Sequence, residues 1–323
     1  MVPHNRVCLR PEDEVLLACV VQSGQIGQGP QVRAFEAALV ERFRPGAAAV
    51  CVSSGTAALH LLVQSLAWQE VTIPTYACIS LFHAVSLFHT VRMLDCDADT
   101  FNSPSAHVVV HTYGVPSTVA PDAIEDFTHA VGGRLGKQPC GSLGIASVVS
   151  FGATKPLGCG AGGAVLGPSD LIEEIRDRRD YDGKRQLRPR FNWQMSDLTA
   201  ALGLSRLERL DDEIARRREI ASRYEAVCRA RGIAVQGTPD STWYRFVMRV
   251  SNPQAVIAHF AEDGVEAINP LEPWEPIHKQ MGYEGGCPMA EAVAASTVSL
   301  PVWPGMTRAD EDRVLISLER LAA

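Results

Sequence analysis

Residues 145–167 read IASVVSFGATKPLGCGAGGAVLG. Two runs of strand length, IASVVSF (145–151) and GGAVLG (162–167), flank a lysine, Lys155, set in a glycine-rich turn. Neither run alternates apolar with polar. Continuous Val, Ile and Leu imply burial on both faces, the habit of parallel strands covered by helices on each side. The same texture recurs outward from this stretch: AAAVCV (47–52), VTIP (71–74), VRMLD (91–95), HVVVHTY (107–113) and DAIED (122–126) alternate with helical patterns such as TAALHLLVQSL from Thr56. Strand-length runs separated by helices are the signature of crossover-connected parallel strands. The expected fold is α/β, a three-layer α/β/α arrangement around a mostly parallel sheet.

After NWQMSD (192–197) the character changes. Ser196 is placed to cap a long helical region in which Leu207, Leu210 and Ile214 recur at helical spacing, ending near Gly232. The strand WYRFVMRV (243–250) sets Tyr244, Phe246, Met248 and Val250 against Arg245, Val247 and Arg249, as in a sheet with one wet face. Helices are expected at about 253–263, 288–296 and 308–322, the last opened by a capping box of Thr307 and Asp310. A chain of 323 residues accommodates two domains. The expected division is a large α/β domain over 1–205 and a smaller C-terminal α+β domain over 206–323.

A formal charge of -7 and the lack of basic blocks other than Arg216–Arg218 argue against a nucleic-acid binder. That trio reads as a solvated helix face. The start MVPHNRVCLRPEDEV has no apolar signal-peptide core, and the longest apolar stretch, Ala77–Val91, is broken by His83 and His89. A soluble, cytoplasmic protein with no membrane partner is expected. Nine cysteines, an odd number without a C-x-x-C pair, read as reduced thiols, mostly buried. His107 and His111 bracket a strand run, more than about 12 Å apart at about 3.3 Å per residue, so no metal is expected there.

Three features fall where strands end, the place where open α/β sheets gather ligands. In CVSSGTAALH a strand runs through Ser54, Gly55 and Thr56 into a helix. Gly55 allows close approach, the first helical N–H groups are unpaired, and the hydroxyls add donors, so a phosphate would be well held; a plain N-cap explains the same residues. In AIEDFTHAVGG, Asp126 ends an apolar strand and His129 follows; a carboxylate buried there needs a cationic or hydrogen-bonding partner, though it also suits a helix cap. Lys155 ends the third feature, with Ser150 a short way back and able to reach a second phosphate oxygen. A desolvated lysine amine is a nucleophile able to form a Schiff base. Jointly, phosphate donors, a carboxylate and such a lysine are what pyridoxal phosphate requires.

The sequence resembles the DegT/DnrJ/EryC1/StrS family of pyridoxal-phosphate sugar aminotransferases, with the fold of aspartate aminotransferase. The resemblance runs nearly end to end, through SGQIGQGPQVRAFEAAL (23–39), VSSGTAALHL (52–61), IPTYACIS (73–80), HTYGVP (111–116), EDFTHAVGG (125–133), SFGATKPLGCGAGGAVL (150–166), the run from FNWQMSDLTAALG at 191 to Tyr224, and SLPVWPGMT (299–307). It implies that Lys155 carries the cofactor as a Schiff base, that Asp126 pairs with the pyridine nitrogen, and that His129 lies near the ring hydroxyl. Gly55, Thr56 and Ser150, with Ser54 beside them, hold the phosphate. Asn192 of the N-x-x-M motif reaches the phosphate in a neighbouring subunit, which makes the active unit a homodimer with shared sites. Related enzymes that dehydrate sugars replace the lysine with histidine, so Lys155 favours transamination. The implied donor is glutamate or glutamine and the implied acceptor a nucleotide-linked keto-sugar, with pyridoxamine phosphate as the alternating form of the cofactor.

The chain departs from the family at several points. Cys78 stands where an aromatic residue usually stacks over the ring, with Tyr76 two residues away; Gln194 replaces an arginine and Ala161 a glutamate. HTYGVPSTVAPDAIED leaves no room for a crossover helix, and little remains between LDCDADTFN and HVVVHTYG. Two covering helices are therefore expected to be missing, with one sheet face protected by loops or by another subunit. His83, Tyr113, Tyr181 and His278 are candidates to face the sugar. Sugar dehydration, amination of a cyclitol or other ketone, and a catalytically silent scaffold remain alternatives.

Overall fold

In the segment 48–52, Val50 and Val52 turn to one face of a sheet and Ala49 and Cys51 to the other, and all four are buried. The same split holds at Val148 against Val149 and at Val165 against Leu166. Such two-sided burial requires helices on both faces, and the structure, a computed structural model describing residues 1–283 and 286–321, supplies them. The strands are β1 (Ala48–Val52), β2 (Glu70–Pro74), β3 (Thr90–Leu94), β4 (Val108–Val110), β5 (Ile124–Asp126), β6 (Arg134–Leu135), β7 (Gln138–Pro139), β8 (Ala146–Ser150), β9 (Gly163–Gly167), β10 (Val235–Gln236), β11 (Phe246–Arg249) and β12 (Thr297–Leu300). The helices are α1 (Pro11–Gln22), α2 (Pro30–Phe43), α3 (Gly55–Gln64), α4 (Ser80–Val85), α5 (Ser169–Arg179), α6 (Asp197–Glu208), α7 (Leu210–Ala230), α8 (Pro253–Glu262), α9 (Ile277–Gln280), α10 (Pro288–Ala295) and α11 (Arg308–Arg320).

The main sheet runs β1-β9-β8-β5-β4. β4, β5 and β8 are parallel, and β9 is antiparallel to both neighbours. The parallel pair β2-β3 continues it beside β4 through side chains: Thr72 N–H donates to His107 Nδ1, and His107 N–H donates to Thr72 Oγ1. Residues of α3, α4 and α5 pack on one face and of α2 and α6 on the other. The fold is thus the α/β/α, mostly parallel architecture expected. None of the helices among the described residues is long and apolar enough to cross a membrane.

A second core gathers on the antiparallel sheet β10-β11-β12, under α7, α8 and α11, and takes in Val2 from the start of the chain. α11 opens with the expected capping box: Asp310 N–H donates to Thr307 Oγ1 while Thr307 N–H donates to Asp310 Oδ2. The end of that expected helix, Ala322, lies outside the described residues. Ser196 caps α6 as expected, accepting Thr199 N–H, but the long helical region breaks at Arg209 into α6 and α7.

Four expectations need correction. HVVVHTY is a strand only over 108–110: Asn102 Oδ1 accepts Thr112 N–H and His129 Nδ1 accepts Tyr113 N–H, so side chains replace ladder partners and Tyr113 sits at φ 55°. WYRFVMRV is a strand only over 246–249, with Trp243 also at φ 55°. Its expected wet face is covered, because Val247 packs in a cluster with Tyr76, Tyr113, Tyr244 and α10. Arg216–Arg218 is not simply a solvated face: Arg217 is buried and donates to the carbonyls of Trp243, Tyr244 and Val302.

The crossover segments 95–107 and 115–123 contain no helix, as expected, yet Val109 and Val148 are buried within the single chain. By register Val109 shares a face with Glu125 and Ser147. There the cover is loop. Its backbone needs acceptors, and buried Glu125 takes the N–H groups of Gly141 and Leu143 while Ser147 Oγ donates to Gly141 O. Gly141, at φ 103°, lies against Phe127 and Phe43, where an added Cβ would crowd the Phe127 ring and the Phe43 Cβ.

Candidate active site

β1, β5 and β8 share one direction, so their carboxyl ends lie along one edge of the sheet. A cavity of about 590 Å³ opens there. Gly55, Thr56, Cys78, Asp126, His129, Ser150 and Lys155 all line it, so seven of the nine residues singled out from the sequence converge. Ser54 and Asn192 do not. Ser54 is the N-cap of α3, its Oγ accepting Ala57 N–H at 3.0 Å. Asn192 is exposed, on a segment where the rings of Phe191 and Trp193 stack.

At the α3 end, a Cβ on Gly55 would fall 2.6 Å from Ser150 Cβ. Only glycine lets the helix start lie this close to the end of β8, which brings Ser150 beside the first-turn N–H groups that have no intrahelical acceptor. With Thr56 they form a cradle of donors suited to an anion such as phosphate.

Asp126 is held by the residue two positions on: Thr128 N–H donates to Oδ1 at 3.0 Å, while Thr128 Oγ1 accepts Ser150 N–H. Burial pushes the Asp126 carboxyl above its ordinary range, against the opposing pull of the Thr128 hydrogen bonds. Its free oxygen therefore favours a cationic partner in the cavity. His129 is pushed well below its ordinary value, first by burial and then by the positive field of Lys155, Arg245 and His111, so the ring is neutral. Its Nδ1 lies 3.3 Å from the Tyr113 N–H, and Lys155 Nζ lies 3.0 Å from Nε2. The lysine itself sits in consecutive tight turns, Lys155 N–H to Gly152 O and Gly158 N–H to Lys155 O.

The lining also contains residues that sequence reasoning missed. Tyr244 stacks on His129 with centroids 4.3 Å apart, Lys155 Nζ is 5.3 Å from the Tyr244 ring centre, and Arg245 stands beside it. Thr128 had a signal, since a hydroxyl residue two after an aspartate is a common local hydrogen-bonding pattern. Tyr244 and Arg245 had none, because irregular backbone brings them in. Of the sugar-facing candidates only Tyr113 lines the cavity; His278 is buried against Thr75 and Glu291, and His83 and Tyr181 are exposed elsewhere. Cys78 and Tyr76 both reach the lining, Tyr76 with its hydroxyl 3.2 Å from that of Tyr113.

His107 and His111 do not meet. His111, Glu125 and Cys140 do cluster, but Ser117 N–H donates to His111 Nδ1, His111 Nε2 meets Glu125, and Glu125 already holds two loop N–H groups. The His111 and Glu125 atoms of that cluster are committed to holding the fold. The nine cysteines are free and six are buried.

Residues 8–117 and 122–319 match the model of the DegT/DnrJ/EryC1/StrS aminotransferase family. The chain is similar to AtS13 from Actinomadura melliaura, at 27% identity over 100% of this chain and 99% of that one, with a TM-score of 0.89. It is also similar to S. venezuelae DesV, solved in complex with a ketimine intermediate, at 26% identity, 98% of each chain and a TM-score of 0.89. Spr1654 from Streptococcus pneumoniae, in its PMP form, matches at 20% identity over 99% and 98% of the two chains with a TM-score of 0.88, a likeness of fold alone.

Proposed function

Because the chain belongs to the DegT/DnrJ/EryC1/StrS aminotransferase family, whose members depend on pyridoxal phosphate, we propose that it moves an amino group from glutamate or glutamine to a nucleotide-linked keto-sugar, with Lys155 and Asp126 as the catalytic pair. The observation that carries this reading is the convergence on one cavity of the Lys155 amine, the Asp126 carboxyl and the Gly55–Ser150 cradle. These residues fit the cofactor. The cradle offers donors to its phosphate, and Asp126 offers an acceptor to its ring nitrogen.

When bound, the cofactor supplies an aldehyde for the amino group and a cationic ring that accepts the electron pair left as the substrate C–H bond breaks. Lys155 Nζ takes that proton from the substrate carbon and returns it, acting as general base and then general acid. Asp126 keeps the ring nitrogen protonated. Thr128 fixes the carboxylate's orientation, and the neutral His129 ring sets its Nε2 beside the Lys155 amine. Asn192, exposed in the single chain, is assigned to the cofactor phosphate of a second copy in a homodimer. Nine free thiols accord with a reducing, cytoplasmic setting.

The test is spectroscopic. The purified, cofactor-loaded protein is expected to show a visible band that glutamate bleaches and a keto-sugar nucleotide restores, while Lys155→Ala shows no lysine-bound band and turns over about 10²–10⁴-fold more slowly. A wild-type band in Lys155→Ala, before any amine is added, would refute the assignment. Restoration by an inosose-type ketone alone would move the acceptor to the cyclitols.

A further inference from the structure

Arg245 lines the cavity, yet its guanidinium is hydrogen-bonded to nothing in the protein among the described residues. Its Nη1 is sealed from solvent without a partner. An unpaired buried donor costs stability, and the cost is greater for a charged group. The surroundings hold the group rather than satisfy it. Its carbon lies 5.7 Å from the Tyr113 ring centre and 5.6 Å from that of Tyr244, so two aromatic rings flank the cation.

The backbone on either side is fixed as well. Arg245 N–H donates to Tyr113 O, Trp243 takes a left-handed φ of 55°, and Arg217 clamps the carbonyls of Trp243 and Tyr244. Strain of this kind persists where surrounding structure enforces it, and it clusters at ligand sites. The cation is also close to the chemistry. Arg245 and Lys155 Nζ each lie within 6 Å of the same Tyr244 ring centre. The phosphate cradle is built by other elements, α3 and β8, so it does not use this guanidinium.

We propose that Arg245 is the docking group for an anionic oxygen group of a substrate, either the donor's carboxylate or the acceptor's diphosphate. This rests on the aminotransferase reading above. A planar guanidinium presents paired N–H donors matched to such oxygens. Binding gives the cavity-facing N–H groups of the guanidinium an acceptor and positions the substrate beside Lys155.

The test is calorimetric titration of the cofactor-loaded protein with two unreactive probes, glutarate for the donor and UDP for the acceptor. Arg245→Gln removes no hydrogen bond among the described residues and is expected to fold, with an unchanged visible band. It should weaken one probe by roughly 10- to 100-fold, the range of a charge-assisted hydrogen bond, and Arg245→Lys should fall between. A glutarate effect assigns the donor, a UDP effect the acceptor. Wild-type affinity for both probes in both variants overturns the proposal. Absence of the lysine-bound band in the wild-type protein would instead fail the aminotransferase reading, which separates the two.

Discussion

Gly55, Asp126, Ser150 and Lys155 reach the cavity from the ends of β1, β5 and β8, whereas Tyr113, Tyr244 and Arg245 reach it from backbone outside any strand. The first wall is anchored in a hydrogen-bonded ladder with apolar layers on both faces. The second is held by side chains gripping main-chain groups, His129 on Tyr113 N–H and Arg217 on two carbonyls, around two non-glycine residues with positive φ. Each such residue costs about 1–3 kcal/mol. A ladder positions reacting groups with little strain. A strained wall brings in side chains that no neighbouring strand would deliver, and makes their placement depend on a few distant residues.

The largest break in this comparison comes from Asp126→Asn on the ladder wall. The amide keeps the shape and loses the charge, so turnover of the loaded enzyme should fall by about 10²–10³-fold; wild-type turnover would remove the carboxylate from the chemistry. The same variant reads the cavity without cofactor. The folded chain holds the Asp126 proton more tightly than the unfolded chain, because burial raises the carboxyl. That contribution to stability is present at low pH and is lost as pH rises through the raised value. The melting temperature of cofactor-free Asp126→Asn should therefore decline less between acid and neutral pH than that of the wild type.

Next in size is Gly55→Ala. The added methyl meets Ser150, and either α3 or β8 must shift, at about 1–3 kcal/mol of overpacking. Cofactor retention measured by dialysis should drop about tenfold or more. The smallest effect is expected on the strained wall itself. Arg217, pulled down to about 10 by burial, becomes Met, and the carbonyls it served lose a donor. Stability should fall by about 1–3 kcal/mol, with a weakened Arg245-dependent probe and an unchanged visible band. If the probe binds as before, the wall does not depend on Arg217.

The contrast also explains what was legible in the sequence. Strands, caps and strand-end residues follow from local pattern, so β1, β5, β8, Ser196, the Thr307 box, Asp126 and Lys155 were within reach. The early end of β4 and the late start of β11 were not. Val-rich and alternating runs favour extension, and only tertiary acceptors such as Asn102 and His129 reveal where the chain turns instead. Arg217 misled for the same reason: three arginines in a row resemble a wet face until the carbonyls of residues 243, 244 and 302 are brought against the middle one.

Glu125 has a consequence for the economy of the chain. A helix laid over a sheet is self-sufficient in hydrogen bonds, while a loop must import its acceptors, and here one carboxylate supplies two of them and meets His111 as well. Brevity has been exchanged for dependence. A protein whose two crossovers carry no helix has gathered these acceptors onto a single side chain, and losing it would release both loop N–H groups at once.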